Sequence, residues 1–172
     1  MNGFNHVTSS VIACAGLCVG LYTNPGVLEI SAFPDFALFC VLGSAIPDID
    51  NKNSSIGRMA FILRPWQGEG DHRSRITHKP IFAIITSICL WYYFHSMPAS
   101  IGWLVGYILH LLMDTMTAAG INWFYPFNRN FISLRSSKSG GFGDFFIMIF
   151  VSSVVYIVLQ KIGQIPGGIF TL

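Results

Sequence analysis

The residues best suited to chemistry in this sequence are histidines and aspartates that stand near the ends of apolar segments. His110 and Asp114 lie four positions apart within the apolar stretch 106–120, so on a helix both side chains project from one face. Burying such a pair is costly without a partner. Two interpretations are open: a hydrogen-bonded pair that fixes helix packing, or half of a metal or catalytic site.

Further histidines and aspartates flank the other apolar segments. Asp48 and Asp50 close one segment in a Pro-Asp-Ile-Asp motif, His72 and His78 precede the next, and His6 opens the first. Histidine and aspartate are ordinary ligands of Zn²⁺ and similar divalent ions. If the fold brings these side chains to one depth, they would form a shell for one or two divalent ions.

The composition indicates whether these residues lie in a soluble protein or in a membrane protein. Hydrophobic residues make up 52% of the 172-residue chain and charged residues 10%, with a mean hydropathy of +0.57; an ordinary soluble domain has roughly 25% charged residues. We therefore expect a membrane protein. The formal net charge of +2 is too small to indicate nucleic-acid binding, and no linker or repeat divides the chain, which predicts a single integral-membrane helical domain over residues 1–172.

Five apolar segments are candidate membrane spans, at about residues 6–22, 31–46, 80–97, 99–116 and 145–161. Several are short enough that, at ~1.5 Å per residue, they barely cross a hydrocarbon core of ~30 Å. Gly102 and Gly106 form a small-residue step that permits close helix packing, as do Gly16 and Gly20. A short interfacial helix is expected around residues 56–63. The predicted fold class is all-α, a polytopic membrane helical bundle of about five spans.

Threading five spans places the N-terminus and the loops 47–79 and 117–144 on the same side of the membrane. That side carries every Lys and Arg except Lys161, so the positive-inside rule makes it cytoplasmic. The histidines and aspartates described above all lie at the cytoplasmic ends of the predicted spans, whereas His95 lies at the opposite end of the third span. We therefore expect a multi-pass protein of the bacterial inner membrane with its N-terminus and its polar site on the cytoplasmic face.

Each of these polar residues also has an ordinary explanation. Asp48 suits a turn, His72 and His78 suit a solvated loop, and His6 suits an exposed terminus. Together they favour function, because ionisable residues near membrane spans here come from four separate helix ends that a bundle brings together.

The four cysteines all lie inside apolar segments and form no Cys-x-x-Cys pair. We expect them to be buried packing residues rather than disulfides or metal ligands. The residues are Cys14, Cys18, Cys40 and Cys89.

An ordered set of motifs resembles the YdjM-like bacterial inner-membrane family over residues 5 to about 135. That family is described as metal-dependent hydrolases under SOS control, distantly similar to zinc-dependent phospholipases C and related nucleases. The middle motif departs from the family pattern, with one extra residue between His72 and His78 and no serine after His78. The motifs are Pro47-Asp48-Ile49-Asp50, His72-Arg73, Thr77-His78, Gly106-Tyr107, His110 with Asp114, Gly120 and Tyr125-Pro126.

The resemblance implies a site that holds one or two divalent ions, most readily Zn²⁺, and uses them to make water a nucleophile at neutral pH. Some of the acidic or histidine residues would then orient ligands or act as general base. The implied metal ligands are His6, Asp48, Asp50, His78, His110 and Asp114; the implied catalytic residues are Asp50, His72 and Asp114.

Three basic residues flank this cluster, namely Arg73, Arg75 and Lys79. They would suit a phosphate oxyanion, and they would equally suit topology and attraction to anionic lipid.

The sequence thus leaves two main hypotheses: a hydrolase acting on phosphoesters or lipid headgroups, and a non-catalytic membrane protein with a structural His/Asp network or metal site. A transporter is disfavoured because the midplane of the spans is nearly bare of polar residues. Leu104 stands where a PAP2-type lipid phosphatase would have arginine, and serine-hydrolase, zincin and nucleotide-binding motifs are absent from the sequence.

Overall fold

The structure is a computed structural model that describes residues 33–52, 54–60, 75–117 and 119–134, with isolated positions at 12, 14–16, 18, 19, 153 and 157. Four α-helices are defined, in the order α1 (Phe33–Ala45), α2 (Ser55–Met59), α3 (Pro80–Phe94) and α4 (Met97–Thr115). Two short 3-10 helices, Ile46–Asp50 and Ile76–His78, lie directly after α1 and directly before α3. An isolated β-bridge joins Ile121 and Ile132 in antiparallel orientation.

Helix α4 is the described helix that is long and apolar enough to cross a membrane. Helix α3 is apolar but has 15 residues. Both helices match predicted spans, although α3 ends at Phe94 because His95 adopts a left-handed conformation with φ 52°. The predicted fifth span, residues 145–161, and most of the first lie outside the described residues, so the helical class is observed and the five-span arrangement is not.

Helices α1 and α4 contact each other backbone to backbone because glycines line their interface. A Cβ atom built on Gly106 would lie 1.9 Å from the Cys40 carbonyl oxygen, and one on Gly102 would lie 2.3 Å from that of Phe36. A Cβ atom built on Gly43, on α1, would lie 2.3 Å from the Trp103 carbonyl oxygen. The small-residue step predicted at Gly102 and Gly106 is therefore confirmed as a close-packing face.

Helices α3 and α4 form an antiparallel hairpin held by polar contacts between apolar surfaces. The Ser87 hydroxyl donates to the Ser100 carbonyl at 2.8 Å, and the Ser100 hydroxyl donates to the Ser87 carbonyl at 2.5 Å. The Trp103 indole N–H donates to the Thr86 hydroxyl at 2.9 Å. In a membrane, interhelical hydrogen bonds of this kind help helices to associate, because lipid is as apolar as the helix surfaces and burial alone provides little driving force.

The cysteine prediction was wrong for Cys14 and Cys40, which form a disulfide, and wrong for the burial of Cys89, which is exposed. Cys14 and Cys40 form a disulfide between the first apolar segment and α1, with their Cα atoms 6.1 Å apart, a normal separation for a disulfide. The two residues are 26 positions apart, so a search for local Cys-x-x-Cys pairs misses them. Cys18 is a free, buried cysteine, and Cys89 is free and exposed.

The chain after α4 folds back over the end of that helix. Ile121 and Ile132 exchange backbone hydrogen bonds at 3.0 and 2.8 Å, and the Leu134 amide donates to the Thr115 carbonyl at 2.9 Å. Gly120 has φ +68°, and a Cβ there would lie 2.3 Å from the Ile132 carbonyl oxygen, so glycine fits both the conformation and the space. The loop thereby closes the end of α4 that carries His110 and Asp114.

Candidate metal centre

Three elements deliver four buried side chains to one point. Asp48 comes from the 3-10 helix that extends α1, His78 from the 3-10 helix that precedes α3, and His110 and Asp114 from the last two turns of α4. Asp48 is 1% exposed and the other three are fully buried. The glycine contacts between α1 and α4 bring the first and third of these elements together.

The four side chains meet through one atom each. The His78 Nε2 atom lies 3.7 Å from Asp48 Oδ1 and 3.5 Å from Asp114 Oδ2. The His110 Nε2 atom lies 3.9 Å from Asp48 Oδ1 and 3.6 Å from Asp114 Oδ2. All four distances are longer than the ~3.2 Å of a normal N–H···O hydrogen bond.

Hydrogen bonds on the other ring nitrogens assign the tautomers of both histidines. His110 Nδ1 lies 2.8 Å from the Ser44 carbonyl oxygen; a carbonyl can only accept, so Nδ1 carries the proton. His78 Nδ1 lies 3.2 Å from the Thr77 hydroxyl, which itself donates to Asp50 Oδ2 at 2.7 Å and so accepts from His78. In the neutral rings, each Nε2 therefore presents a lone pair to the carboxylates.

This donor set fits a divalent cation. Two imidazole lone pairs and two carboxylate oxygens would repel one another at these distances, and a cation between them removes that repulsion. Ligands ~2.0–2.1 Å from a tetrahedral ion are about 3.3 Å from one another, close to the four histidine–carboxylate separations of 3.5–3.9 Å. The ligand atoms of Asp48, His78 and His110 lie within 4.8 Å of one another. Metal-binding histidines also usually donate their other N–H to a carbonyl or a similar acceptor.

Asp50 lies beside this cluster rather than in it. Its Oδ2 accepts the Thr77 hydroxyl hydrogen bond and lies 3.5 Å from Arg75 Nη1, and the same Arg75 nitrogen donates to the Asp50 main-chain carbonyl at 2.6 Å. The other carboxylate oxygen, Oδ1, is buried without a hydrogen-bond partner among the described residues. Asp50 is thus positioned to act on His78 through Thr77.

Two of the three basic residues expected to bind substrate are described, and both contact protein groups. Arg75 pairs with Asp50 and its side chain is 22% exposed. Lys79 is 4% exposed, with its ammonium 5.7 Å from the Tyr125 ring centre and 5.0 Å from that of Phe131, a cation–π arrangement. The loop after α4 therefore covers Lys79.

Several residues that shape the site were given no role from the sequence, although Thr77 and Tyr107 belong to the motifs quoted there. The Ser54 hydroxyl donates to the Asp48 carbonyl at 2.7 Å and caps α2 by accepting from the Gly57 amide at 2.8 Å. The Tyr107 hydroxyl donates to the Thr77 carbonyl at 2.5 Å. A serine before a helix is a recognisable capping signal, whereas the bonds of Tyr107 and Thr77 depend on tertiary contacts between distant segments.

Of the ten sequence-predicted site residues, the structure describes seven. It brings together Asp48, His78, His110 and Asp114, with Asp50 and Arg75 adjacent and Lys79 turned to the aromatic loop. His6, His72 and Arg73 lie outside the described residues.

Comparison with known proteins identifies relatives along nearly the whole chain. The sequence pattern of the family described as YdjM inner membrane protein matches residues 1–169. The chain is similar to the YdjM inner membrane proteins of Escherichia coli and Shigella flexneri, each 32% identical over 67% of this chain and 61% of the relative. It is also similar to YvsG of Bacillus subtilis, at 24% identity over 84% of this chain and 85% of that protein.

The chain spans about three fifths of the length of the E. coli and Shigella relatives. No solved structure shows significant similarity to it. The match over residues 1–169, together with those two relatives, confirms the resemblance seen in the sequence motifs. This chain is a membrane protein that belongs to the YdjM inner membrane protein family.

Proposed function

We propose that this protein is a membrane-embedded metal-dependent hydrolase whose site faces the cytoplasm and acts on phosphoesters or lipid headgroups. The observation that carries the proposal is the convergence of two histidine Nε2 atoms and two carboxylate oxygens at 3.5–3.9 Å in a buried position. The protein would be a single multi-pass bundle of about five spans with a cytoplasmic N-terminus. Membership of an inner membrane family and the bias of basic residues to one side support that topology.

The roles within the site follow from the geometry. Asp48, His78 and His110 would hold the ion, because their ligand atoms all lie within 4.8 Å of one another. Zn²⁺ suits this mixture of imidazole and carboxylate ligands, and a bound divalent ion would supply the Lewis acidity that makes water nucleophilic at neutral pH. Asp114, opposite both histidines, would accept the proton of the attacking water.

The substrate class rests on charge and location. Arg75 lies next to the cluster and is partly exposed, and a guanidinium is suited to a phosphate oxyanion. Arg73, two positions earlier, would add a second such group. Anionic phospholipid headgroups are abundant at the membrane surface, so we propose a phosphate ester presented at that surface as the substrate.

A second candidate is a structural metal site without turnover, and one observation favours it. Asp114 Oδ2 is as close to both histidines as Asp48 Oδ1 is. If Asp114 were the fourth ligand of a tetrahedral ion, the site would be closed, whereas catalysis requires an open coordination position.

One experiment separates these functions. Detergent-purified wild type, His110→Ala, Asp114→Asn and the exposed-carboxylate control Asp35→Asn would be assayed for bound metal by mass spectrometry and for hydrolysis of phosphodiesters and phospholipids. A hydrolase is supported if wild type and Asp35→Asn hold one Zn²⁺ and turn over, Asp114→Asn keeps the metal but loses turnover, and His110→Ala loses both. If wild type holds metal but turns over no substrate, and His110→Ala loses the metal, the result indicates the structural site. A wild type without metal rejects both.

A further inference from the structure

The two buried histidines of the candidate metal centre are held by chemically different partners. His110 donates its Nδ1 proton to a main-chain carbonyl, that of Ser44. His78 is bonded instead to a side chain, the hydroxyl of Thr77. A main-chain acceptor has a fixed role, whereas a hydroxyl can donate or accept, so the tautomer of His78 depends on what fixes the direction of the Thr77 hydroxyl.

Asp50 fixes that direction. The Thr77 hydroxyl lies 2.7 Å from Asp50 Oδ2, and an ionised carboxylate can only accept. The single hydroxyl proton therefore points to Asp50, and a lone pair of the same oxygen faces His78 Nδ1. The chain of donors runs from His78 Nδ1–H to Thr77 and from Thr77 to Asp50, so in the neutral ring the lone pair of His78 Nε2 faces Asp48 and Asp114.

We propose that Thr77, oriented by Asp50, is a positioning residue that sets the tautomer and ring direction of His78. In this assignment Asp50 is not a metal ligand; it acts through Thr77. The consequence for metal affinity rests on the metal binding proposed above. The effect on the His78 tautomer is independent of metal binding, because the hydrogen bonds that produce it are made by protein groups alone.

Contacts on both sides hold this relay in place. The Tyr107 hydroxyl, on α4, donates to the Thr77 carbonyl at 2.5 Å, and the Tyr107 ring is fully buried. Arg75 donates to the Asp50 carbonyl at 2.6 Å and lies 3.5 Å from its carboxylate. Thr77 is therefore anchored through its main chain and Asp50 through its charge.

Two substitutions test the role of the Thr77 hydroxyl. Thr77→Val has nearly the same shape but lacks the hydroxyl, and Thr77→Ser keeps it. Thr86→Val is the matched control, because the Thr86 hydroxyl also accepts a side-chain hydrogen bond, from Trp103 on α4, and donates to main-chain carbonyls of α3, away from the site. All four proteins would be purified in detergent with their metal removed.

The first readout is Zn²⁺ affinity, measured by competition with a chromophoric chelator. Loss of a group that orients a metal ligand typically weakens binding roughly 10–100-fold, and we expect that range for Thr77→Val. Thr77→Ser and Thr86→Val should bind Zn²⁺ within about threefold of wild type, since both proteins keep a hydroxyl group at position 77. Wild-type affinity in Thr77→Val would overturn the positioning role.

The second readout is the tautomer of His78 in the metal-free protein, from ¹⁵N-histidine NMR with His78→Gln used for assignment. Wild type and Thr77→Ser should show the Nδ1–H form, and Thr77→Val a mixture of tautomers. If wild type binds no Zn²⁺ yet shows the Nδ1–H form, the proposed metal function fails and the positioning role stands. If Thr77→Val keeps the wild-type tautomer, the positioning role fails whatever the metal result.

Discussion

Helix α4 carries polar groups at both ends, and the two ends are built differently. At its N-terminus, the Ser96 hydroxyl caps the helix by accepting from the Ala99 amide at 3.3 Å and donates to Asp35 Oδ2 at 3.0 Å, in an exposed contact. His95 beside it is exposed. At its C-terminus, His110 and Asp114 are fully buried and meet Asp48 and His78.

The difference shows why a polar motif at the end of a membrane helix does not by itself indicate a site. Groups at the N-terminal end are exposed, so water can satisfy their hydrogen bonds and they need not converge on one point. Buried groups at the C-terminal end have lost water, so their charges and lone pairs must be satisfied by one another or by a bound cation. The two ends differ because the polar side chains at the C-terminal end are buried and converge on one point; residue type alone does not distinguish them.

The largest expected effect comes from removing one histidine at each end. Zn²⁺ at about 1,000 times its dissociation constant would stabilise wild type by about 4 kcal/mol. His78→Ala should lose that stabilisation because it removes a ligand atom, and His95→Ala should keep it. Thermal unfolding in detergent, with Zn²⁺ and with chelator, measures both. Equal stabilisation of the two variants would contradict the assigned difference between the ends.

The next effect tests what assembles the buried end. Gly106→Ala places a Cβ within 1.9 Å of the Cys40 carbonyl oxygen, so α1 and α4 must separate, and we expect a loss of roughly 3 kcal/mol in the free energy of unfolding. Metal affinity should fall as well, because Asp48 follows α1. The control is Gly16→Ala, where no described atom comes within 4 Å. Denaturant titration of both variants would show whether the close contact matters.

A smaller effect is expected from the hydrogen bonds that join α3 to the N-terminal half of α4. Ser87→Ala and Ser100→Ala each remove one interhelical bond and should each cost about 1 kcal/mol of stability. Neither should alter Zn²⁺ affinity, since both lie away from the buried cluster. A tenfold change in affinity in either variant would show that the two ends of α4 are coupled.

The smallest effect concerns backbone strain at the exposed end. His95 is a non-glycine residue with φ 52° at the end of α3, and glycine adopts this conformation without a Cβ penalty. His95→Gly should therefore raise the free energy of unfolding by about 0.5 kcal/mol, because relief of the left-handed strain exceeds the chain entropy that glycine loses on folding. Comparison of His95→Gly with His95→Ala in the same denaturant series isolates the backbone contribution from loss of the imidazole; a glycine variant no more stable than the alanine variant would refute it.

The sequence by itself determined the local features. Predicted spans at residues 80–97 and 99–116 correspond to Pro80–Phe94 and Met97–Thr115, and the four-residue spacing placed His110 and Asp114 on one helix face. The glycine step at Gly102 and Gly106 was equally readable. These features follow from apolar run length and helical period, which depend on residues a few positions apart.

Only the tertiary structure decided what each polar residue does. Asp48 and Asp50 are two positions apart in one motif, yet Asp48 faces the histidines and Asp50 faces Thr77 and Arg75. A 3-10 helix has 3.0 residues per turn, so side chains two positions apart point in different directions, and the packing of α1 selects which one faces the cluster.

The Cys14–Cys40 disulfide and the cover that Phe131 and Tyr125 place over Lys79 were likewise settled by tertiary packing. Both depend on contacts between segments far apart in the chain, and no local pattern of residues records such distances.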